Sequence, residues 1–309
     1  MKVKKAGAAR RQALPILTFR DEDILKAVHT YRYMTARDIT SLFFAPSSIN
    51  YARERLAALA GGEDSKERAY LYRSAMPSKT GSRERVYTLG SAGREAIVSL
   101  GFPVDWYMPP YKTDRLSYSH LAHQLTLTRF MVAAALWGRN HPDYTLAEMR
   151  LSYEIEKRIA KLHAEKERAA ALVIPDGWLL FERVADRARS PLLIEIDRGS
   201  EYQERFKNHV RGRIAFIHSG DYAKVFGMPA VMIAYVTTGQ VPAYRETRVR
   251  TMAAWTREVL TELKMERWAG IFRFTSAVYE TLYEDAQTLF EKPVWFRPDS
   301  PERPVPLLG

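Results

Sequence analysis

Three apolar runs in the second half of this chain constrain its fold more than anything else in it. Val173–Glu182, Pro191–Asp197 and Ala230–Thr238 are rich in Ile, Leu and Val. The last, Ala-Val-Met-Ile-Ala-Tyr-Val-Thr-Thr, reads as a buried strand. Helical patterns lie around them: Ser117–Trp137, with an apolar face through Leu121, Leu125, Val132 and Ala135, then Glu154–Arg168, Ser200–Ser219 and Tyr244–Met265. Tyr144–Arg150 reads as a strand and Ile271–Thr275 as one more. With the charged, solvated stretch Glu154–Arg168 set aside, residues 117–238 run helix, strand, strand, strand, helix, strand, which is the order of an α/β domain. The Pro-rich tail from 281 to 309 is expected to be irregular.

Acidic residues fall at the ends of two of these runs. Ile174-Pro175-Asp176 opens one strand and Glu195-Ile196-Asp197 closes the next. Side chains alternate across a strand, so Glu195 and Asp197 point the same way. If the two strands pair as a hairpin, Asp176 lies beside Glu195. Carboxylates converging at a sheet end can hold Mg²⁺ or Mn²⁺ through oxygen ligands. A metal held there activates water and stabilises charge on a phosphodiester. The expected ligands are Asp176, Glu195 and Asp197, with Glu148 as a further candidate. The competing reading makes them structural ions paired with Arg198 or Arg205. His120 and His123, three apart on a helix, read as packing residues or as site residues.

The first hundred residues have a different rhythm. Ile24, Val28 and Tyr31 recur at helical spacing. Thr35 reads as an N-cap with Asp38 at the capping-box position, ahead of Ile39, Leu42 and Phe43. Ser47 or Ser48 is expected to cap a third helix that buries Ile49, Ala52, Leu56 and Leu59 and ends at Gly61-Gly62. Strand character follows at Ala69–Arg73 and Arg85–Leu89, around a basic loop, Pro77–Arg83. A helix capped by Ser91 follows. Three helices and a hairpin with a basic tip make a winged helix, whose second and third helices form the helix-turn-helix. The outward residues of the third helix, Ser48, Asn50, Tyr51, Arg53 and Arg55, are expected to meet duplex DNA, with Lys79, Arg83 and Arg85 from the wing. The domains then read as a basic disordered arm at 1–17, a winged helix at 18–101, a linker at 102–116, the α/β domain at 117–280, and the tail.

Charge agrees with that partner. The chain carries +11 over 309 residues, and Lys and Arg displace condensed counterions from nucleic acid. The Lys and Arg of Glu154–Arg168 read as a solvated face or a backbone contact. There is no cysteine, which removes disulfides and thiolate metal sites and fits a reducing cytoplasm. No apolar stretch is long enough to span a membrane. The P-loop pattern and the Gly-rich dinucleotide fingerprint are missing, so no nucleotide cofactor is expected. The seven histidines are scattered, unlike the cluster a His-metal relaxase needs.

The acidic layout resembles the PD-(D/E)xK nuclease superfamily. Pro175-Asp176 matches its PD and Glu195 its acidic position, while Asp197 stands where that superfamily usually has Lys. Lys207, on the following helix, is the candidate replacement. The resemblance implies a restriction-endonuclease-like αβββαβ domain behind the winged helix, with Asp176, Glu195, Asp197 and Lys207 as its catalytic set. More narrowly, residues 18–240 resemble the replication-relaxation family of plasmid and mobile-element proteins. The likeness rests on the winged-helix start, the His120/His123 helix, Pro175-Asp176-Gly177 and Glu195-Ile196-Asp197-Arg198-Gly199-Ser200-Glu201. It implies a role in replication or mobilisation, with double-stranded DNA, replication or mobilisation proteins and a second copy of the chain as the partners to consider. Two functions follow as expectations: a DNA-binding protein whose second domain is a scaffold, or a Mg²⁺-dependent endonuclease targeted by its winged helix.

Overall fold

The computed structural model describes residues 14–61, 68–76, 84–104, 107–113, 115–164, 174–199, 202–238, 242–279, 282–284 and 286–308. The chain divides into two compact units, Met1–Leu125 and Thr126–Gly309.

The first unit begins with α1 (Phe19–Tyr31), β1 (Met34–Thr35), α2 (Ala36–Phe43) and α3 (Ile49–Leu59). Then come β2 (Leu71–Ala75), β3 (Arg85–Leu89), α4 (Ser91–Ser99) and the short α5 (Pro110–Thr113). The strands form an antiparallel sheet in the order β1-β3-β2. Helical spacing selects what is buried: Ile24, Leu25 and Val28 of α1, Ile39 of α2, and Ala52, Leu56 and Leu59 of α3, together with Leu71, Val86 and Ile97. The expected capping box of α2 is present, Thr35 accepting from the Asp38 N–H while Asp38 accepts from the Thr35 N–H. An identical box, Thr18 with Asp21, starts α1. Two expected caps are corrected. Ser48 holds the N-cap position of α3 without a side-chain cap bond, because the 3-10 turn Pro46–Ser48 leads directly into the helix. Gly90, not Ser91, is the N-cap of α4, since a Cβ there would lie 2.2 Å from the Ala69 carbonyl oxygen. The expected linker is partly folded onto this unit: Tyr33 donates its hydroxyl to the Met108 sulfur at 3.4 Å, and Phe102 meets His29 edge-on. The arm expected at 1–17 lies mostly outside the described residues.

The second unit is a mixed α/β layer structure. Its strands are β4 (Tyr144–Leu151), β5 (Gly177–Arg183), β6 (Arg189–Asp197), β7 (Met232–Thr238), β8 (Phe272–Ala277), β9 (Trp295–Arg297) and β10 (Ser300–Val305). They line up as β10-β9-β8-β7-β6-β5-β4. The central trio β6, β7 and β8 is parallel, and the flanking pairs are antiparallel. The helices are α6 (Tyr118–Asn140), of which this unit holds the part from Thr126 on, α7 (Ser152–Ala164), α8 (Gln203–His218), α9 (Asp221–Phe226), α10 (Pro242–Glu262) and α11 (Ala286–Glu291). On one face, Trp178, Leu193, Ile233, Tyr235, Phe272 and Phe274 of the sheet join Ile155, Phe206, Val210, Ile214, Met252 and Leu260 of the helices. On the other, Phe181 packs against Trp137 of α6 and Phe290 of α11, with ring centroids 5.2 and 5.5 Å away. Both faces are covered, as continuous apolar strands require.

The tail is a correction: it is ordered, supplying α11, β9 and β10. Its prolines misled the expectation. Pro301 and Pro304 sit in β10, the outermost strand, where a missing N–H breaks no inner ladder. The anchor is Trp295, wholly buried, whose Nε1–H donates to the Leu289 carbonyl at 2.5 Å. Trp295→Ala is expected to cost about 3–5 kcal/mol, from the cavity and the lost bond together. Urea denaturation would measure it, and a loss below about 1 kcal/mol would mean that the tail is not integral.

Candidate functional site

The acidic site is built at the carboxyl end of β6. The β5–β6 register pairs Gly177 with Ile194, so the preceding Asp176 comes alongside Glu195, as the hairpin expectation required. Asp176 Oδ2 accepts the Ile196 N–H at 2.8 Å, and the Asp176 carbonyl accepts from the Ser152 N–H. The side chains of Glu195 and Asp197 share a face with Tyr235 and Thr237, their partners on β7, and meet the helices covering that face.

What awaits them there is cationic. Arg213 of α8, 1% exposed, donates Nε–H to Glu195 Oε1 at 2.5 Å. Arg248 of α10 grips Asp197 with two bonds, Nε to Oδ2 at 3.0 Å and Nη2 to Oδ1 at 2.9 Å. The Thr237 hydroxyl also donates to Asp197 Oδ2, at 3.3 Å. The Arg248–Asp197 pair has the forked geometry at which guanidinium and carboxylate bind best. Arg198 and Arg205, expected as ion-pair partners, are not the residues that hold Asp197 and Glu195 in these bonds.

The expectation of a three-carboxylate metal site is therefore corrected. Among the described residues, no group of three His, Cys, Asp or Glu is placed to hold a metal ion. The donor set does not fit a divalent cation, since Asp197 gives both oxygens to Arg248 and two buried guanidinium charges would repel an entering ion. Lys207 does not turn toward the cluster. Its ammonium sits 2.7 Å from Glu258 on α10, because position 207 lies on the flank of α8, one residue past the inward Phe206. Glu148 is taken by Arg150, which donates Nε–H to it at 2.6 Å. His120 meets the Tyr33 ring edge-on, a packing contact.

Electrostatics follow from this enclosure. Burial pushes the Glu195 carboxyl up to about 7; Arg213 opposes the rise and the Asp176 charge adds to it. Arg213 stays cationic beside it, its guanidinium held above the usual range despite burial. Beyond Asp197, Gly199 has φ +77°, and Tyr244 of α10 donates its hydroxyl to the Gly199 carbonyl at 2.9 Å. A Cβ at Gly199 would lie 2.8 Å from the Tyr244 ring, so the turn demands glycine twice over. Arg213, Arg248 and Tyr244 were missed in the sequence. The usable signal was an arginine on an apolar stripe: Arg213 follows Phe206 and Val210 at helical spacing, and Arg248 precedes Met252 by four.

The outward face expected to meet DNA is divided by the structure. Asn50, Tyr51 and Arg53 are exposed on α3, Ser48 is half-buried at its start, and Arg85 is exposed on β3. Arg53 donates to Asn50 Oδ1 at 3.4 Å. Arg55 has another task. It donates to both Asp21 oxygens, at 2.9 and 2.6 Å, and to the Ile16 carbonyl. Lys79 and Arg83 lie outside the described residues.

Two predictions test the ion-paired cluster. Arg248→Ala strands Asp197 in a buried position and should cost about 3–5 kcal/mol in urea, while Arg248→Met with Asp197→Asn should recover most of it. Equal losses from both would deny the pairing. Glu195 is the pH-sensitive member. Its folded value lies above its ordinary 4.5, so its contribution is complete below 4.5 and is lost as pH rises through about 7. Wild type should therefore lose stability relative to Glu195→Gln across that window. Parallel melting curves from pH 4 to 8 would contradict it.

No helix of the described residues is long and apolar enough to cross a membrane. No curated protein matches the chain. Among solved structures, restriction endonuclease FokI is similar at 9% identity and a TM-score of 0.30, over 87% of this chain and 44% of FokI. The chain thus spans less than half of FokI's length. The model of the replication-relaxation family matches residues 25–230, from α1 to the approach to β7. That match takes in two thirds of the sequence, including the Asp176, Glu195 and Asp197 positions, and the chain belongs to the replication-relaxation family.

Proposed function

We propose that this protein binds duplex DNA through its N-terminal unit, acting as a winged helix-turn-helix in the replication or mobilisation of a plasmid or mobile element. The observation that carries the reading is the division of α3 into two faces. Ala52, Leu56 and Leu59 fix it in the core, while Asn50, Tyr51 and Arg53 stand free of the core together. Asn and Arg are the side chains suited to bidentate readout of adenine and guanine in the major groove. The basic loop ahead of Arg85 supplies phosphate contacts through Lys79 and Arg83, and the net charge of +11 supports the same partner. Family membership supports the process.

The second unit acts in this proposal as an ion-paired scaffold. Its Glu195 and Asp197 are engaged by Arg213 and Arg248, so supercoiled DNA incubated with Mg²⁺ or Mn²⁺ should remain intact. Metal-dependent nicking abolished by Asp176→Asn would restore the endonuclease reading instead.

DNA binding is tested on the full chain by titration with labelled duplex. Affinity should fall steeply with salt, as phosphate contacts dominate it. Asn50→Ala and Arg53→Ala should relax sequence preference by about 1–3 kcal/mol, and Lys79→Ala and Arg83→Ala should weaken all sequences alike. A chain that binds no duplex at low salt refutes the proposal.

A further inference from the structure

Beside the exposed face of α3 lies an open concavity of about 390 Å³, within the range of small-molecule sites. Its walls carry three aromatic rings, Phe19, Phe44 and Tyr51, among the polar Thr18, Arg20, Asp21 and Arg55. Phe19 is 87% exposed and Tyr51 59% exposed, so neither is spent on the core. The Tyr51 ring meets Phe44 edge-on at 6.0 Å, and the Arg20 guanidinium lies 4.8 Å over the other partner of that pair, Phe44. The one carboxylate in the lining, Asp21, is neutralised. It takes Arg55 on both oxygens and caps α1, and these bonds hold it below the usual carboxylate range although burial pushes the other way.

We infer that this recess takes an unpaired nucleobase, so that the protein prefers DNA with a locally opened duplex. The inference rests on the proposed DNA binding and adds its substrate class. A base offers two flat π-faces, and exposed aromatic rings give it a stacking surface without regard to sequence. A cation in the lining meets the phosphate that accompanies the base. An apolar peptide side chain would gain nothing from Arg20, and a second copy of a chain of charge +11 would bring further positive charge to a cationic lining. Tyr51 belongs both to the recess and to the outward face of α3, so a base leaving a duplex seated on that face has a short path to it.

The test uses the full chain and two duplexes of one sequence, fully paired or with a short unpaired stretch carrying 2-aminopurine. The opened duplex should bind about tenfold more tightly, with 2-aminopurine fluorescence changing on binding as the base restacks. Phe19→Ala should bring the ratio of the two affinities to about one, and Phe19→Trp should keep it. Equal binding of both duplexes by the wild type overturns the inference and leaves duplex binding standing. A ratio that survives Phe19→Ala overturns it too, as does a Phe19-dependent dimer in sedimentation. A wild type that binds neither DNA removes this inference together with the reading beneath it.

Discussion

Two arginines that come from different helices to the same strand hold the second unit in register. Glu195 and Asp197 alternate with Ile194 and Ile196 on β6, so they face the helical layer, where water is excluded. Charge in such a place is tolerated only if it is paired and hydrogen-bonded. Arg213 brings α8 to one carboxylate and Arg248 brings α10 to the other. An apolar replacement of each pair could match it in energy, since desolvation consumes most of the attraction. What apolar contacts lack is direction. The forked Arg248 guanidinium meets Asp197 in few orientations, so that pair fixes where along its axis α10 stops sliding, and the single Arg213–Glu195 bond limits α8 in the same way. The left-handed turn at Gly199 and the Tyr244 hydroxyl then set the path out of the strand.

The first unit repeats the device on a smaller scale. Asp21 caps α1 and receives Arg55 from α3, so one carboxylate both finishes a helix start and positions the helix proposed to meet DNA. Arg55 thereby leaves the set of residues proposed to face DNA and joins the set that supports them. With Arg55 turned inward, Asn50, Tyr51 and Arg53 are presented from a braced helix, the arrangement a recognition surface needs to keep its geometry.

Much of this was legible from periodicity. The order of the longer elements through β8, most buried positions of α1 to α3, the Thr35 capping box and the placement of Asp176 beside Glu195 follow from local rules of spacing and pairing, whereas the short β1, α5 and α9 and the half-buried Ile49 did not. The partners of the acidic residues were not legible. Arg213 is 18 residues from Glu195 and Arg248 is 51 from Asp197, and no local pattern reports which arginine closes over which carboxylate. The convergence of three carboxylates failed for that reason: proximity was read correctly for two of them, and the neutralising cations were invisible. The ordered tail was hidden differently. Its prolines argue against an inner strand, and only the completed sheet shows that the position they occupy is the outermost one.

That position has a consequence for the life of the chain outside its native fold. A sheet of seven strands ends in a row of amide donors and acceptors that invites any extended segment to join it. In β10 two of the six residues, Pro301 and Pro304, have no amide hydrogen to offer. A newly made neighbour at high local concentration, as on a crowded polysome, finds on that border an interrupted template. The tail thus finishes the sheet from within on this border and makes that border a poor template for propagation.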